Sequence, residues 1–477
     1  MTKGLGSIYQ YYVDPVHIQA LSVAGLRAVA AQDKSLTLFP SQKYLNVFRD
    51  REIVSQVPWP HSDYPANWAL FSIAVLSDLR SISDEIVQLN QDEILHSYFM
   101  GVSSRLDRFT RYSSPEQAAL QRGDREGFGG VGLSLEQGDN DFRITAIAAD
   151  SPAARSNISI GDSLTAIDGR GIRDWTLDDV LRALHGRVGT TVRLATTSAE
   201  TLIPREQILR RREIIPNTVS FRQLKHFPTI RLSRFNKKTS ERVADMVERL
   251  KENSGTEIAG LVIDLRGNPG GLLDEAVETA DLFLDSGVIA STTGRHPQSD
   301  QQFNATSGDM LDGLPIVVLI DGGTASAAEI LAAALQDHRR AVVVGSVSYG
   351  KGTVQKIVHM PNNGELALTW ARYLTPSEYA IHDFGVLPNI CTIHYENGVA
   401  AVLKTLRKSP WQANMRFRYL RSLQYLGHDQ VKEFRASCPW NGRTPQQIDI
   451  DAADALLSDS GLYEDALNLG NRVYAVR

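Results

Sequence analysis

Cysteine is almost missing from this 477-residue chain. Only Cys391 and Cys438 occur, and nothing between them has metal-ligand spacing. Long apolar runs are missing too: none approaches the ~20 residues a transmembrane helix needs. The start, Met1-Thr2-Lys3-Gly4-Leu5-Gly6, is not followed by an apolar stretch suited to a signal peptide. Either the protein stays in the cytoplasm or an export signal lies outside this sequence. A strong charge of one sign is lacking as well. The net charge of −5 gives no global pull toward nucleic acid or an anionic membrane. The basic clusters that do occur, Arg210-Arg211-Arg212 and the stretch 404–421, read as solvated helix faces.

What is present is the composition of a globular protein, 42% apolar and 22% charged, long enough for three or four folding units. Residues 1–122 read as a helical region. Trp68, Phe71, Val75, Leu79 and Ile82 recur at three- and four-residue steps, and Ser83-Asp84 offers a fresh helix start. Residues 123–198 change texture to short strands and turns, from Gly130-Val131-Gly132-Leu133 through Phe142-Arg143-Ile144-Thr145-Ala146-Ile147 to a closing strand at 190–195. After a connecting stretch of mixed charge, 200–227, strands and helices alternate through residue 400. Strands are expected at 229–232, 259–264, 316–320 and 341–344, with helices at 240–251, 272–283 and 326–336. That alternation implies a largely parallel sheet covered by helices, whose ligands bind beyond the strand carboxyl ends. Residues 401–477 return to helix.

Two glycine-rich turns fall at such strand ends. The first is Asp321-Gly322-Gly323-Thr324-Ala325-Ser326-Ala327-Ala328-Glu329, and the second is Gly350-Lys351-Gly352-Thr353-Val354-Gln355. Each presents one polar side chain, which suggests a Ser326–Lys351 hydrolytic dyad. Ser326-Ala327-Ala328-Glu329 is also a plain capping box, and Lys351 could be a lysine on a solvated hairpin. Position after apolar strands tilts both toward chemistry, since a serine at a helix start has backbone N–H groups beside a developing oxyanion. Gly345-Ser346-Val347-Ser348-Tyr349-Gly350-Lys351 begins like a phosphate-binding loop, but Gly352 stands where Ser or Thr is needed, and 353–359 alternates as a strand. Lysine must be neutral to act as base, so its pKa has to fall by desolvation. Gln355, four residues along the same strand, would share its face and hold the amine. Among the 11 histidines only His382 is a rival base. In a third turn, Asp264-Leu265-Arg266-Gly267-Asn268-Pro269-Gly270-Gly271, Gly270 or Gly271 joins the Ala327 amide as the oxyanion hole.

Taken in order, these motifs resemble the carboxyl-terminal processing peptidases, tail-specific Ser–Lys proteases with a PDZ domain. The resemblance runs from about residue 98 to 390 and includes Leu106-Asp107-Arg108-Phe109-Thr110-Arg111-Tyr112, Ser151-Pro152-Ala153 and Gly161-Asp162. It implies a multidomain α/β protein: helical N-terminal region, PDZ module, crotonase-like protease core (199–400) and helical C-terminal tail. It also implies Ser326 as nucleophile, Lys351 as general base, Gln355 as its partner, and Gly130, Val131, Gly132 and Leu133 as a loop for a substrate's terminal carboxylate. Leu133 and Leu135 would line the pocket beside it. No cofactor or metal is implied. Expected partners are protein C-terminal tails, an activating adaptor and further copies of the chain, joined through the helical ends. Export to the periplasm is implied, and there the two cysteines most simply pair. Two departures stand out, Ala328 for a common serine and Asn389 for a usual aspartate. The competing reading is a PDZ scaffold whose protease core is inactive.

Overall fold

The computed structural model describes residues 1–138, 141–198, 203–253, 258–306, 308–393, 398–408, 410–423, 428–440, 442 and 446–469. The N-terminal region is not helical throughout. Helices Thr2–Tyr11 and Ile18–Ala30 lead into an antiparallel sheet of Leu36–Pro40, Tyr44–Arg49 and Glu52–Pro58 before helices resume at Pro65–Ile82. Leu36 and Leu38, and then Leu45 and Val47, are buried at a spacing of two, the strand period. The second hairpin turns at Asp50-Arg51, both with positive φ, without the Asn-Gly or Asp-Gly signature that such turns favour. Of the expected apolar stripe of Pro65–Ile82, Trp68, Phe71, Val75 and Leu79 are buried and Ile82 is half-buried. Ser83 caps the next helix by accepting the Ile86 N–H. This region has a core of its own, shared with Val358, Met360, Leu366 and Leu368.

The β-rich module orders its strands Pro204–Arg210, Thr191–Thr197, Ser163–Ile167, Phe142–Ile147, Leu133–Gln137, with helix Leu177–Leu184 beside them. Strand Pro204–Arg210 adds to this sheet beyond the expected strand at 190–195, and Arg212–Ile214 pairs with Phe128–Gly130. The arginine triplet lies where Pro204–Arg210 and Arg212–Ile214 meet, Arg211 between them, and not on a helix face. Arg211 is buried, and its guanidinium donates to the carbonyls of Ala183, Leu184 and Thr191 and to Thr190 Oγ1. It thereby satisfies carbonyls at the helix end.

The core sheet runs Val219–Leu224, Phe227–Leu232, Leu261–Asp264, Ile316–Ile320, Ala341–Gly345, Ile390–Cys391, parallel from the second strand onward. Strands 316–320 and 341–345 are wholly buried, as unbroken β-branched runs should be in a parallel sheet. A second, antiparallel sheet of Gln301–Asn304, Val288–Thr293, Glu365–Leu374 and Thr353–His359 lies beside it, with Arg111–Ser113 added to the 365–374 strand. Asn389 accepts the Val343 N–H and a hydrogen bond from Gln336, which fixes how the last strand joins the sheet. Helices after residue 398 do not hang off this unit. Leu403, Leu406, Phe434, Ala452, Leu456 and Leu462 belong to the same buried cluster as the central strands. Cys391 and Cys438 are bonded to each other, tying the last strand to these helices. No helix among the described residues is long and apolar enough to cross a membrane.

Candidate active site

Ser326 stands at the junction between the buried strand Ile316–Ile320 and helix Ala327–Asp337. Its φ of 58° and ψ of −120° are costly for a residue with a side chain, so the surroundings must hold it there. They do. Asp321 Oδ1 accepts the N–H groups of Gly323 (2.9 Å), Thr324 (3.1 Å) and Gly267 (2.8 Å), while Ala325 N–H donates to Asn268 O at 2.9 Å. Gly323 lets the two turns meet: a methyl placed on it would lie 3.1 Å from the Gly267 Cα.

The 264–271 turn reaches the serine through Gly270, where a methyl would lie 2.8 Å from Ser326 Cβ and 3.0 Å from the Ala327 nitrogen. The Gly270 N–H already donates to Asn268 Oδ1 at 2.9 Å. The N–H groups of Gly271 and Ala327 donate to nothing among the described residues. Of the three expected oxyanion donors, these two are therefore available and Gly270 is the spacer that brings them near.

The residue that sequence reasoning reduced to a cap is the most consequential one here. Glu329 is fully buried, and its Oε2 accepts the N–H of Ser326 at 2.7 Å and that of Lys351 at 2.8 Å. Its Oε1 accepts the Gly350 N–H at 2.7 Å and the Ser348 hydroxyl. One carboxylate thus brings the backbones of both candidate catalytic residues to a single oxygen atom. Burial pushes its pKa up, and the four hydrogen bonds oppose that shift. With three obligatory N–H donors aimed at it, the ionised form is the one that fits. Every N–H from Val347 to Lys351 is used: Val347 to Cys438 O, Ser348 to Val386 O, Tyr349 to Thr324 O, and the last two to Glu329. All five N–H groups of a loop with no regular structure are thereby satisfied.

Lys351 is set among residues of the 106–112 segment. Its Nζ lies 5.3 Å from the Phe109 ring centroid. Burial lowers its pKa to about 8; Arg111 adds to the shift, while Glu329 and Asp107 oppose it. Its amine makes no hydrogen bond to Ser326 or Gln355 among the described residues, so the structure joins the two turns through their backbones.

The Gln355 expectation needs correction. Lys351 precedes the strand, which begins at Thr353, and the register shifts between Val354 and Gln355, so the two-residue period does not carry from one to the other. The Gln355 amide donates instead to Thr353 and Thr369, and Thr369 passes the chain on to Asp107. His382 does not hydrogen-bond to Ser326, and burial lowers its pKa. Its backbone lies where any side chain on Gly352 would go, 2.4 Å from a methyl there, which explains the glycine that broke the phosphate-loop pattern.

In the β-rich module, Gly132 has φ 83° and abuts Ser151, while Val131 O and Gly132 O accept the Ala153 and Ala148 N–H groups. The Val131 and Gly132 N–H groups donate to nothing among the described residues. They adjoin Leu133–Gln137, the last strand in its sheet order, which leaves one edge of that strand unpaired in the sheet. Leu133 and Leu135 both pack on the module's core.

Two family models match parts of this chain. Peptidase family S41 matches residues 227–392, and the PDZ domain matches residues 116–196. The chain is 36% identical over 303 residues to a carboxy-terminal-processing protease of Bartonella bacilliformis, covering 63% of this chain and 70% of that protein. It is 36% identical over 289 residues to a carboxyl-terminal-processing protease of Synechocystis, covering 59% of this chain and 66% of that one. Among solved structures, a photosystem II D1 C-terminal processing protease aligns with a TM-score of 0.38 and 24% identity, over 81% of this chain and 90% of that chain.

Proposed function

Because this chain belongs to the carboxy-terminal-processing proteases of peptidase family S41, we propose that it is a serine endopeptidase working through a Ser326–Lys351 dyad on proteins held by their C-terminal tails. Neutral Lys351 takes the Ser326 proton as Oγ attacks the scissile carbonyl, and the amides of Gly271 and Ala327 receive the oxyanion. The protonated lysine then returns its proton to the leaving amine, and water releases the acyl group by the same route. The observation that carries this reading is Glu329, whose one oxygen gathers the backbone amides of both residues. The lowered Lys351 pKa supports it, because near pH 8 half of the amine is already a base.

Gln355 acts at one remove, through Thr369 and Asp107, on the segment that flanks the lysine. The Val131 and Gly132 amides fit a terminal carboxylate, with the tail added as a strand along 133–137. We read the protease core as crotonase-like. The Cys391–Cys438 bond supports an oxidising compartment such as the periplasm.

The test is turnover of an unstructured protein by wild type and by Ser326→Ala. Wild-type cleavage that vanishes in the variant is expected. A purified, folded wild-type protein that retains its substrate without cutting it would favour a PDZ scaffold instead.

A further inference from the structure

Among the helices after residue 398, one short piece lies against both candidate catalytic turns. Helix Val431–Ala436 is seated by Phe434, fully buried, with its ring 5.3 Å from that of Phe384 and 6.2 Å from that of Tyr379. Just beyond it Cys438 is bonded to Cys391 and accepts the Val347 N–H at 3.1 Å. Trp440 then lies on Gly322, where any side chain would collide with its indole. Three independent attachments thus fix the path of this segment.

Between them, Arg435 points back toward the lysine loop. Its Nη1 donates to Tyr349 O at 3.2 Å, to Phe384 O at 3.2 Å and to Asp383 O at 3.3 Å. A methyl on Gly350 would lie 3.3 Å from the same nitrogen. Tyr349 is two residues before Lys351, and the Gly350 carbonyl accepts from Asp383 N–H at 3.0 Å. One guanidinium nitrogen therefore joins the two backbone stretches that flank Gly350.

We propose that Arg435 is a positioning residue for Lys351, so that the C-terminal segment is a working part of the site. The proposal rests on the Ser–Lys reading for its effect on rate, but not for the contact itself. Loss of the guanidinium frees the Tyr349 carbonyl and lets the loop drift, which misplaces a base that must sit within hydrogen-bond reach of Ser326. A substrate bound elsewhere on the chain would not sense the change.

Arg435→Gln should lower kcat by roughly 10–100-fold, the scale of a small misplacement at a reacting centre, with KM changed by no more than about twofold. Arg435→Lys, which keeps a donor, should recover most of the rate. Arg407→Gln removes an exposed pairing with Asp459 in the same helical region and should leave kcat alone. Amide hydrogen exchange should quicken over 347–351 in Arg435→Gln and stay unchanged over 128–214. Normal kcat in Arg435→Gln, a loss confined to KM, or a loss that Arg407→Gln reproduces would overturn the proposal. If Lys351→Ala proves fully active, the dyad reading fails, and the exchange measurement still decides whether Arg435 holds the loop.

Discussion

The turn bearing Ser326 and the loop bearing Lys351 are both glycine-flanked exits from buried parallel strands, but they are held by different means. Much of the serine turn is stabilised by near neighbours. Asp321 takes the N–H groups of Gly323 and Thr324, Thr324 Oγ1 accepts the Asp321 N–H, and Glu329 takes the N–H of Ser326. In the lysine loop no N–H from 347 to 351 has a near partner; each goes to residues 324, 329, 386 or 438. A turn of the first kind is written into a short motif. One of the second kind exists only after the core has assembled, and it is the part that a distant change can disturb.

The largest effects should come from the two side chains themselves. Ser326→Ala should leave no measurable peptidase activity, and Lys351→Ala should cost at least the ~10²–10⁴ typical of losing a general base. Circular dichroism and melting should show both variants folded. Full turnover by Lys351→Ala would break the dyad. Activity should also rise with pH through about 8 and then level off, as the buried lysine loses its proton. The sign for stability is the same. The folded pKa lies below the ordinary 10.5, so between about 8 and 10.5 the unfolded chain binds more protons. The contribution of this group to stability therefore increases with pH across that window. Lys351→Met, inactive, should melt higher than wild type near neutral pH.

Next comes the bond that anchors the lysine loop's remote partner. Replacing both Cys391 and Cys438 with Ala opens a closure of 47 residues and should cost about 4 kcal/mol in denaturant unfolding by the loop-entropy relation. Exchange should quicken at 347–351 before it does at 321–326. Equal loosening of both would erase the distinction drawn here.

Glu329→Gln should have a smaller effect on stability, about 2–4 kcal/mol, because an amide nitrogen replaces an oxygen that receives N–H donors. Since that residue serves both turns, kcat should fall while KM for a peptide substrate stays near wild type. A variant with normal kcat would show that the shared carboxylate does not set the geometry. The smallest effect belongs to the substrate's tail. Amidating its C-terminus removes a charge whose hydrogen bonds are worth ~1.5–3 kcal/mol, weakening binding by about one to two orders of magnitude. Equal cleavage of acid and amide forms well below saturation would remove the carboxylate from recognition.

The core's alternation was legible because buried parallel strands are unbroken apolar runs; Ile316–Ile320 is found where that pattern put it. The turns were legible because glycine and a lone polar residue after such a run have few other uses. Less local features were hidden. The 36–58 sheet lacks a glycine turn signal, the strand at 204–210 looks like a charged linker, and Gln355 sits beyond a register shift that no residue pattern announces.

By itself the sequence determined which residue types stand at the strand ends, and so the chemistry on offer: a serine at a helix start, a lysine between glycines, a paired-glycine turn. Only the tertiary structure decided that these meet. Lys351 is enclosed beside Phe109, and Arg111 repels its charge, both from a segment more than two hundred residues earlier; the lowered pKa is a property of those surroundings. Glu329 became more than a cap because the lysine loop arrives with N–H groups that burial obliges it to satisfy. Hydrogen bonds between elements distant in sequence leave no periodicity behind, which is why Arg435 and Trp440 gave no sign of their contacts with the two turns.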